Sequence, residues 1–317
     1  MTETIVRPRR PEDDAQSVSI ANQVFSEFPP ESVEETRHWI KNTPPTAYRS
    51  DLVAERDGTV VGSGNLYEMF WAAERNRYSM NMVVAPTLWG QGIGSALYNA
   101  FLADVQRRGG TRLYTWIKSN VPEAASFAEH RGFAPSGHEH RMSRLDVHVA
   151  NLDGYDGLED RLRAEDIRVT TVAALDPDET QLHAIHALDN DTTKDVPQSE
   201  EFVSTPFETW YRDAFQAPGA STESFWLALH GDRPVGMAVL RRQGPNAAWN
   251  SFTGVTADFR GKGVARALKK RTIDWARANG VDYIFTGNDV SNERMLAVNV
   301  RLGYQPLPPI TEMVKDL

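Results

Sequence analysis

The chain has 317 residues, 24% of them charged and 40% hydrophobic, which is the composition of an ordinary globular protein. It has no cysteine, which excludes disulfides, cysteine nucleophiles and thiolate metal sites. A net charge of −9 argues against binding to nucleic acid, and no apolar stretch is long enough for a membrane helix. Because the first residues also lack a signal-peptide core, we predict a cytoplasmic protein with a small-molecule partner, no nucleic acid and no membrane.

The sequence contains an internal repeat. WGQGIGSAL at 89–97 aligns with RGKGVARAL at 260–268, which begins 171 residues later. The same offset pairs Gly109 with Gly280. Chance rarely supplies several landmarks in one register, so a repeat of this period indicates a duplicated domain.

We therefore predict two copies of one domain, at 1–150 and 167–317, joined by a linker at 151–166. Each copy begins with a strand and a helical region, followed by two strands that an Asp-Gly or Gly-Asp turn joins into a hairpin. A further strand leads into the glycine-rich stretch, and an amphipathic helix follows it and ends at a glycine. A strand, a short helix and a Gly-aromatic pair complete the copy. The predicted fold class is α/β, with a mixed α+β sheet.

The glycine-rich stretch is a candidate phosphate site. A glycine turn that enters a helix offers unpaired backbone N–H groups and the positive end of the helix dipole. Two nucleotide motifs do not fit: a Walker loop needs glycine where Thr256 stands and serine or threonine where Gly263 follows Lys262. Neither copy has the dinucleotide fingerprint G-x-G-x-x-G. What fits is Q/R-x-x-G-x-G/A, the loop that holds the pyrophosphate of coenzyme A in acetyltransferases.

On these residues, the second copy resembles the GNAT (GCN5-related N-acetyltransferase) superfamily. Arg260–Ala265 matches the acetyl-CoA loop, and residues 286–304 resemble the segment that follows it in the family. Asn292, Gly303 and Tyr304 fall on the asparagine, glycine and aromatic residue of that segment. The resemblance implies two tandem GNAT-like acyl-CoA N-acyltransferase domains, an architecture similar to that of mycothiol synthases, with acetyl-CoA as co-substrate.

The resemblance also implies which residues bind the coenzyme. In the family, the strand before the loop supplies a backbone N–H to the thioester carbonyl, and Val255 falls there, with Val84 as its counterpart in the first copy. Asn292 would bind the pantetheine arm or cap its helix. The loop candidates are Arg260, Gly261, Lys262, Gly263, Val264, Ala265 and Arg266 in the second copy, and Gly90, Gln91, Gly92, Ile93, Gly94 and Ser95 in the first.

Both copies depart from the family pattern. The family's tyrosine, which donates a proton to the leaving thiolate, falls on Asn299 in the second copy, whose amide could hydrogen-bond the sulfur. In the first copy that position is Ala128, and Trp89 replaces the Arg or Gln of the loop. We therefore predict catalysis in the second copy and a structural or ligand-binding role for the first, with an independently active first copy as the alternative.

An acidic arm precedes the hairpin of the second copy. Residues 176–213 contain ten acidic residues against two basic ones, and in the family this arm walls the acceptor site. Asp189 and Asp195 are candidates to hold a cationic amine, and Asp191 is the candidate for taking its proton. The amine must lose a proton before it attacks, so a carboxylate here suits the chemistry.

The sequence therefore predicts an N-acetyltransferase that moves an acetyl group from acetyl-CoA to the amine of a small, cationic acceptor. Two alternatives stay open: an acyl-CoA-binding sensor with decayed catalysis, and an acetyltransferase that acts on a protein lysine or N-terminus. No metal is predicted, because His183 and His186, one helical turn apart, have no clear third ligand.

Overall fold

The computed structural model describes residues 3–317. Its α-helices are α1 Asp14–Val24, α2 Val33–Asn42, α3 Ile93–Arg107, α4 Pro122–Glu129, α5 Leu158–Ala164, α6 Val172–Leu175, α7 Glu179–Thr193, α8 Phe207–Gln216, α9 Val264–Ala278 and α10 Glu293–Leu302. Its strands are β1 Ile5–Pro8, β2 Arg49–Arg56, β3 Thr59–Glu68, β4 Arg77–Val84, β5 Arg112–Lys118, β6 Ala134–Asp146, β7 Ile167–Thr171, β8 Phe225–His230, β9 Arg233–Gln243, β10 Ala247–Val255, β11 Tyr283–Asp289, β12 Gln305–Pro306 and β13 Ile310–Asp316. None of the helices described between residues 3 and 317 is long and apolar enough to cross a membrane.

The chain packs into two compact units. The first contains the chain up to Glu139, together with Ser199–Glu201 and Pro308–Leu317. The second contains His140–Gln198 and Phe202–Leu307. The first copy of the repeat thus lies in the first unit up to Glu139, and its residues 140–150 belong to the second unit. The glycine loop of the second copy lies in the second unit, while the last strand of the chain, β13, belongs to the first. The domain boundaries drawn from the repeat stay a prediction.

The strands of the first unit follow the order β1-β2-β3-β4-β5-β13. All neighbours are antiparallel except β4 and β5, which run parallel and pair only where Arg77–Ser79 face Arg112–Tyr114. Beyond Ser79 and Tyr114 the two strands separate. The predicted hairpin of β2 and β3 is confirmed: it turns at Asp57 and Gly58, both of which have positive φ, as a two-residue hairpin turn requires.

The second unit repeats this arrangement in the order β6-β11-β10-β9-β8-β7, with β12 beside β6. Its parallel pair, β10 and β11, is again short: Ala247–Trp249 face Tyr283–Phe285, and the strands then separate. An irregularity in the β9–β10 ladder between Asn250 and Phe252 marks the same point on β10. The predicted hairpin of β8 and β9 is confirmed.

Helices cover both faces of each sheet. In the first unit, α3 buries Leu97, Phe101 and Val105 on one face, while Ile20 of α1 packs with Val53 on another part of the sheet. In the second unit the core along α9 is separate from the core formed by α7, α8 and the strands β8 and β9. The mixed α/β fold class is therefore confirmed.

Residues 151–166, for which the sequence predicts a linker, contain the helix α5. Tyr155, Leu158 and Leu162 are buried in the core along α9. Leu158 and Leu162 are four residues apart, so they lie on one face of the helix. The first half of the segment, NLDGYDG, is polar and glycine-rich, and this composition is typical of a linker. The apolar stripe of α5 lies in the second half.

Candidate functional site

In the first unit, β4 leads through a glycine turn into a long helix. The strand ends at Val84, a short turn follows at Pro86–Leu88, and α3 begins at Ile93. Between them, Gly90 and Gly92 adopt φ values of 76° and 81°. Glycine is the residue that adopts such values at little cost. Because the N-cap of α3 is a glycine without a side chain, no side chain caps the first N–H groups of the helix.

The second unit has the same turn in the same place. β10 ends at Val255, a short turn follows at Ala257–Phe259, and α9 begins at Val264. Gly261 and Gly263 have φ values of 79° and 92°. Gly263 is again an N-cap that makes no side-chain hydrogen bond. The sequence repeat is therefore a repeat of backbone geometry, and each copy presents a bare helix N-terminus.

One side chain in each turn folds back on the strand. The indole Nε1 of Trp89 donates to the carbonyl of Val84 at 2.8 Å, and the Nε of Arg260 donates to the carbonyl of Val255 at 2.9 Å. Trp89 thus makes the same hydrogen bond to the end of its strand as Arg260 does. Unlike Trp89, Arg260 carries a charge, and its guanidinium also pairs with Asp195.

The strand ends direct backbone N–H groups into the gap between the parallel strands. Val84 faces Gly62 on β3, and the ladder bond beside this pair runs from the N–H of Ala85 to the carbonyl of Val61 at 3.0 Å. In an antiparallel ladder this register leaves the N–H of Val84 unused by β3 and pointing toward β5. Val255 has the same register against β9.

A cleft of about 760 Å³ opens beside the turn of the first copy. It lies between the separated parts of β4 and β5, and residues of the turn and of α4 line it. Small-molecule sites typically span roughly 300–1,000 Å³, so the cleft has the size of a ligand site. Its walls include Val84, Gly90, Gly92, Ile93, Gly94, Ser95, Thr115, Lys118, Phe127 and Arg131.

Two cationic side chains, Lys118 and Arg131, line the cleft of the first copy. Lys118, the last residue of β5, pairs with the carboxylate of Glu27 at 2.6 Å. At the turn, Arg131 donates to the hydroxyl of Ser95 at 2.6 Å. Gln91, also predicted to bind the coenzyme, instead accepts a hydrogen bond from Arg56 at 2.7 Å. The side chain of Gln91 is therefore held by the protein itself.

The basic side chains of the second turn have partners within the second unit. Lys262 pairs with Glu165 at 2.9 Å. Arg266 donates to the carbonyl of Gly154 at 3.0 Å, and its guanidinium lies 4.5 Å from the ring centre of Tyr155. Since Arg260 pairs with Asp195, all three basic side chains of the predicted loop have partners within the protein.

Several predicted loop residues can offer only their backbone. Ile93 and Val264 are buried in the cores beneath α3 and α9. Ala265 is partly buried against the core along α9. A Cβ atom at Gly94 would lie 3.2 Å from the ring of Phe127, so the glycine lets α4 approach the start of α3 closely. Backbone N–H groups are what a helix N-terminus presents to an anion, so this placement suits the predicted role.

The asparagines of the second copy have defined partners. Asn292 accepts a hydrogen bond from the N–H of Met295 at 3.3 Å and so caps α10. Asn299 is 2% exposed, and its Nδ2 donates to Asn288 at 2.6 Å. The Oδ1 of Asn299 accepts no hydrogen bond from any residue between 3 and 317. Asn299 therefore already uses one of its amide donors within the protein.

The three predicted carboxylates of the acidic arm have different surroundings. Asp189 is half-buried on α7, and burial, with a smaller effect from the neighbouring carboxylate of Asp213, raises the pKa of Asp189 to about 7. Asp191 is exposed on the same helix, and Asp195 pairs with Arg260. α7 packs on β9 and β10. The raised pKa of Asp189 places its change of charge near neutral pH.

The helix α7 approaches β10 at the strand's last residues. A Cβ atom at Gly254 would lie 2.5 Å from the hydroxyl of Thr192, so only glycine permits this approach. Thr192 follows Asp189 by three residues, which places both on neighbouring positions of one helix face. Asp189 thus lies one helical turn from Thr192, which contacts β10 at Gly254, the residue before Val255.

The two histidines of α7 serve packing. His183 stacks on the ring of Phe207 at 4.1 Å. The Nε2 of His186 lies 2.7 Å from the carbonyl of Thr205. No group of three histidine, aspartate or glutamate residues in the described part of the chain is arranged to hold a metal ion.

Three candidate groups were not predicted from the sequence. Met82 and Thr253 precede Val84 and Val255 by two residues in the same ladders, so their N–H groups also point into the gaps; the period of two along a strand is the signal for them. Lys269, on the inner face of α9, is 2% exposed. In the sequence it directly follows the apolar Leu268, and from the sequence alone a surface lysine is expected at this position.

Together these features define an α/β protein with two copies of one backbone arrangement: separated parallel strands, a glycine turn and a helix N-terminus. The family model for the acetyltransferase (GNAT) family matches residues 16–133 and 159–304. The chain belongs to this family, and it is therefore an N-acetyltransferase by class, with two tandem GNAT domains.

Solved structures share this fold over the whole chain. A GCN5-related N-acetyltransferase from Sphaerobacter thermophilus is 18% identical and has a TM-score of 0.72, over 99% of this chain and 95% of that chain. A tandem GNAT protein from the clavulanic acid biosynthesis pathway is also 18% identical and has a TM-score of 0.76, over 99% of this chain and 98% of that chain. The comparison with curated protein sequences finds no match.

Proposed function

We propose that the protein transfers an acetyl group from acetyl-CoA to the amine of a small, cationic acceptor. The observation that supports acetyl-CoA as the acetyl donor is the cleft of about 760 Å³ in the first copy. Residues of the glycine turn line it, and it lies between two separated strands. The N–H groups of such a turn suit a pyrophosphate, and strand N–H groups suit the oxygen of a thioester.

In the first copy, the backbone of Gly90–Ser95 would hold the pyrophosphate and the N–H of Val84 would face the thioester carbonyl. In the second copy, the backbone of Arg260–Arg266 and the N–H of Val255 are the proposed counterparts. Since the positive φ values at both turns agree within about 11°, the two copies offer an anion the same backbone.

We assign catalysis to the second copy and propose Asp189 as the base, in place of Asp191, for which the sequence predicts this role. An alkylammonium has a pKa of about 10, by analogy with lysine, and it must lose a proton before attack. A carboxylate whose pKa is about 7 is substantially ionised at neutral pH and is a stronger base than an ordinary aspartate. Asp191 is exposed on the same helix and is proposed to attract the acceptor.

The acidic arm supports a cationic acceptor. Of the ten acidic residues over 176–213, Asp195, Glu200 and Asp213 pair with arginines, and Glu201 belongs to the first unit. The other six lie on or beside α7 and α8, where they favour a negative potential. A field of this sign raises the local concentration of cations and their rate of encounter. Small amines that are protonated in solution are therefore the proposed substrate class.

A second candidate function is an acyl-CoA-binding sensor without turnover. It is favoured by the second copy, in which Arg260, Lys262 and Arg266 already have partners in the protein. Asn299, at the position of the family's tyrosine, already donates one amide hydrogen to Asn288. Release of free thiol from acetyl-CoA with a panel of amines separates the two functions, because a sensor binds the coenzyme without releasing thiol.

Two matched variants test which copy is catalytic. Gly90→Trp and Gly261→Trp place the same side chain at equivalent turn positions, where φ is 76° and 79° and no atom lies within 4 Å of an added Cβ. The backbone strain is therefore alike in both. We expect Gly261→Trp to abolish thiol release and Gly90→Trp to retain it while losing one acetyl-CoA site in calorimetry. The reverse pattern would assign catalysis to the first copy.

A further inference from the structure

The first copy has a cationic side chain, Arg131, that lies outside its glycine loop. Arg131 follows α4, and its side chain runs back toward the start of α3. NH1 donates to the carbonyl of Phe127 at 2.9 Å, and the guanidinium lies 3.5 Å from the centre of the Phe127 ring. NH2 donates to the hydroxyl of Ser95 at 2.6 Å. Three contacts therefore hold the guanidinium beside the first turn of α3.

The charge of Arg131 is not neutralised. No carboxylate among residues 3–317 pairs with it, and burial lowers the pKa of its guanidinium. A half-buried cation normally has an anionic partner, because loss of hydration is otherwise uncompensated. The other cation of the cleft, Lys118, follows this rule through Glu27. The surroundings of Arg131 favour an anion that comes from outside the chain.

The second copy has no counterpart of this residue. The repeat aligns Arg131 with Leu302, which is fully buried in the core. Conversely, the second copy has Arg260 where the first has Trp89. The first copy therefore lacks a charge at the loop position of Arg260 and has one on the turn after α4, beside the first turn of α3.

We propose that Arg131 contacts a phosphate of the coenzyme bound in the first copy. This inference rests on the proposed function of the same cleft. Ser95 presents its hydroxyl and backbone at the start of α3, and Arg131 adds a forked donor that can bind two phosphate oxygens. Either the pyrophosphate or the 3′-phosphate of coenzyme A can supply these oxygens.

Calorimetry on the full chain tests the proposal. Acetyl-CoA is titrated into the Gly261→Trp protein, which leaves only the first site, and into the same protein with Arg131→Gln or Arg131→Lys. We expect Arg131→Gln to weaken binding by about 10- to 150-fold, the range for a hydrogen bond to a charged group. Arg131→Lys keeps the charge without the fork and should weaken binding less. Arg107→Gln, at the far end of α3, removes the same charge and should leave affinity unchanged.

The source of the phosphate is distinguished by dephospho-CoA, which lacks the 3′-phosphate. An equal loss with both coenzymes assigns Arg131 to the pyrophosphate, and a loss with acetyl-CoA alone assigns it to the 3′-phosphate; both support the proposal. If Arg131→Gln fails to fold, Arg131→Lys decides: unchanged affinity overturns the proposal. Wild-type affinity in Arg131→Gln overturns it as well, while the cleft keeps its function. Absence of binding to the Gly261→Trp protein itself overturns both.

Discussion

Replacing Lys269 by methionine tests the interior of the second unit. The amine of Lys269 lies 3.2 Å from the Oδ1 of Asn250 and 5.3 Å from the ring centre of Tyr304. No carboxylate in the described chain pairs with it, and burial lowers the pKa of Lys269 from 10.5 to about 7. Methionine has a similar length and no charge, and Asn250 keeps its contact with Thr253 in the variant.

The size and sign of the effect follow from this pKa. Because the pKa is lower in the folded protein than in the unfolded chain, the unfolded chain binds the proton more tightly between pH 7 and 10.5. The free energy of unfolding of the wild type therefore rises with pH across this range and is nearly flat below it. At about 1.4 kcal/mol per pKa unit, the rise between pH 7 and pH 10 is roughly 3 kcal/mol.

Urea unfolding between pH 6 and pH 10, followed by tryptophan fluorescence, measures the difference between the wild type and Lys269→Met. We expect the methionine variant to be the more stable protein at pH 7 and the advantage to shrink as pH approaches 10. Lys270→Met is the control, since Lys270 pairs with Asp274 near the surface, and its difference from the wild type should not vary in this way. A constant difference for Lys269→Met across this pH range would refute the reasoning.

Two further predictions concern the proposed catalytic copy. Asp189→Asn should lower kcat by roughly 10²- to 10⁴-fold, the usual contribution of a general base, and should remove the rise of kcat with pH near 7, whereas the exposed Asp191→Asn should keep that rise. A pH profile of Asp189→Asn that retains its rise would assign the base to another group. Asn292→Ala should lower the free energy of unfolding by about 1 kcal/mol, because it removes the cap of α10. Urea unfolding measures this loss, and a drop in acetyl-CoA affinity without a loss of stability would instead make Asn292 a ligand-binding residue.

Local sequence signals predicted the elements around the site well. Glycines two residues apart before an amphipathic stripe predicted a turn into a helix at 90–92 and 261–263. These glycines have positive φ, which side chains with a Cβ rarely adopt. The Asp57-Gly58 pair predicted a hairpin for the same reason. The C-terminal glycine of each long helix, Gly109 or Gly280, also has the expected positive φ.

Long-range pairing could not be predicted in this way. β13, at the end of the chain, pairs along its whole length with β5 of the first unit. Nothing in the alternation of Ile310–Asp316 specifies a partner about two hundred residues earlier, because strand pairing depends on neighbours across the sheet. Glu200, from the acidic arm, likewise pairs with Arg77 within the first unit, and sequence reasoning counted it only as one of ten acids.

The two copies differ in the balance of charge at the turn more than in its backbone. The second copy has three basic side chains at its turn, and each has a partner in the protein, while the first has a neutral Trp89 and an unneutralised Arg131. A phosphate that binds the first copy therefore gains a new ion pair, whereas one that binds the second must compete with Asp195 or Glu165. Tight retention suits a copy that holds coenzyme without turnover, and weaker binding suits a copy that must release coenzyme A after each transfer. The distribution of charge therefore favours catalysis in the second copy.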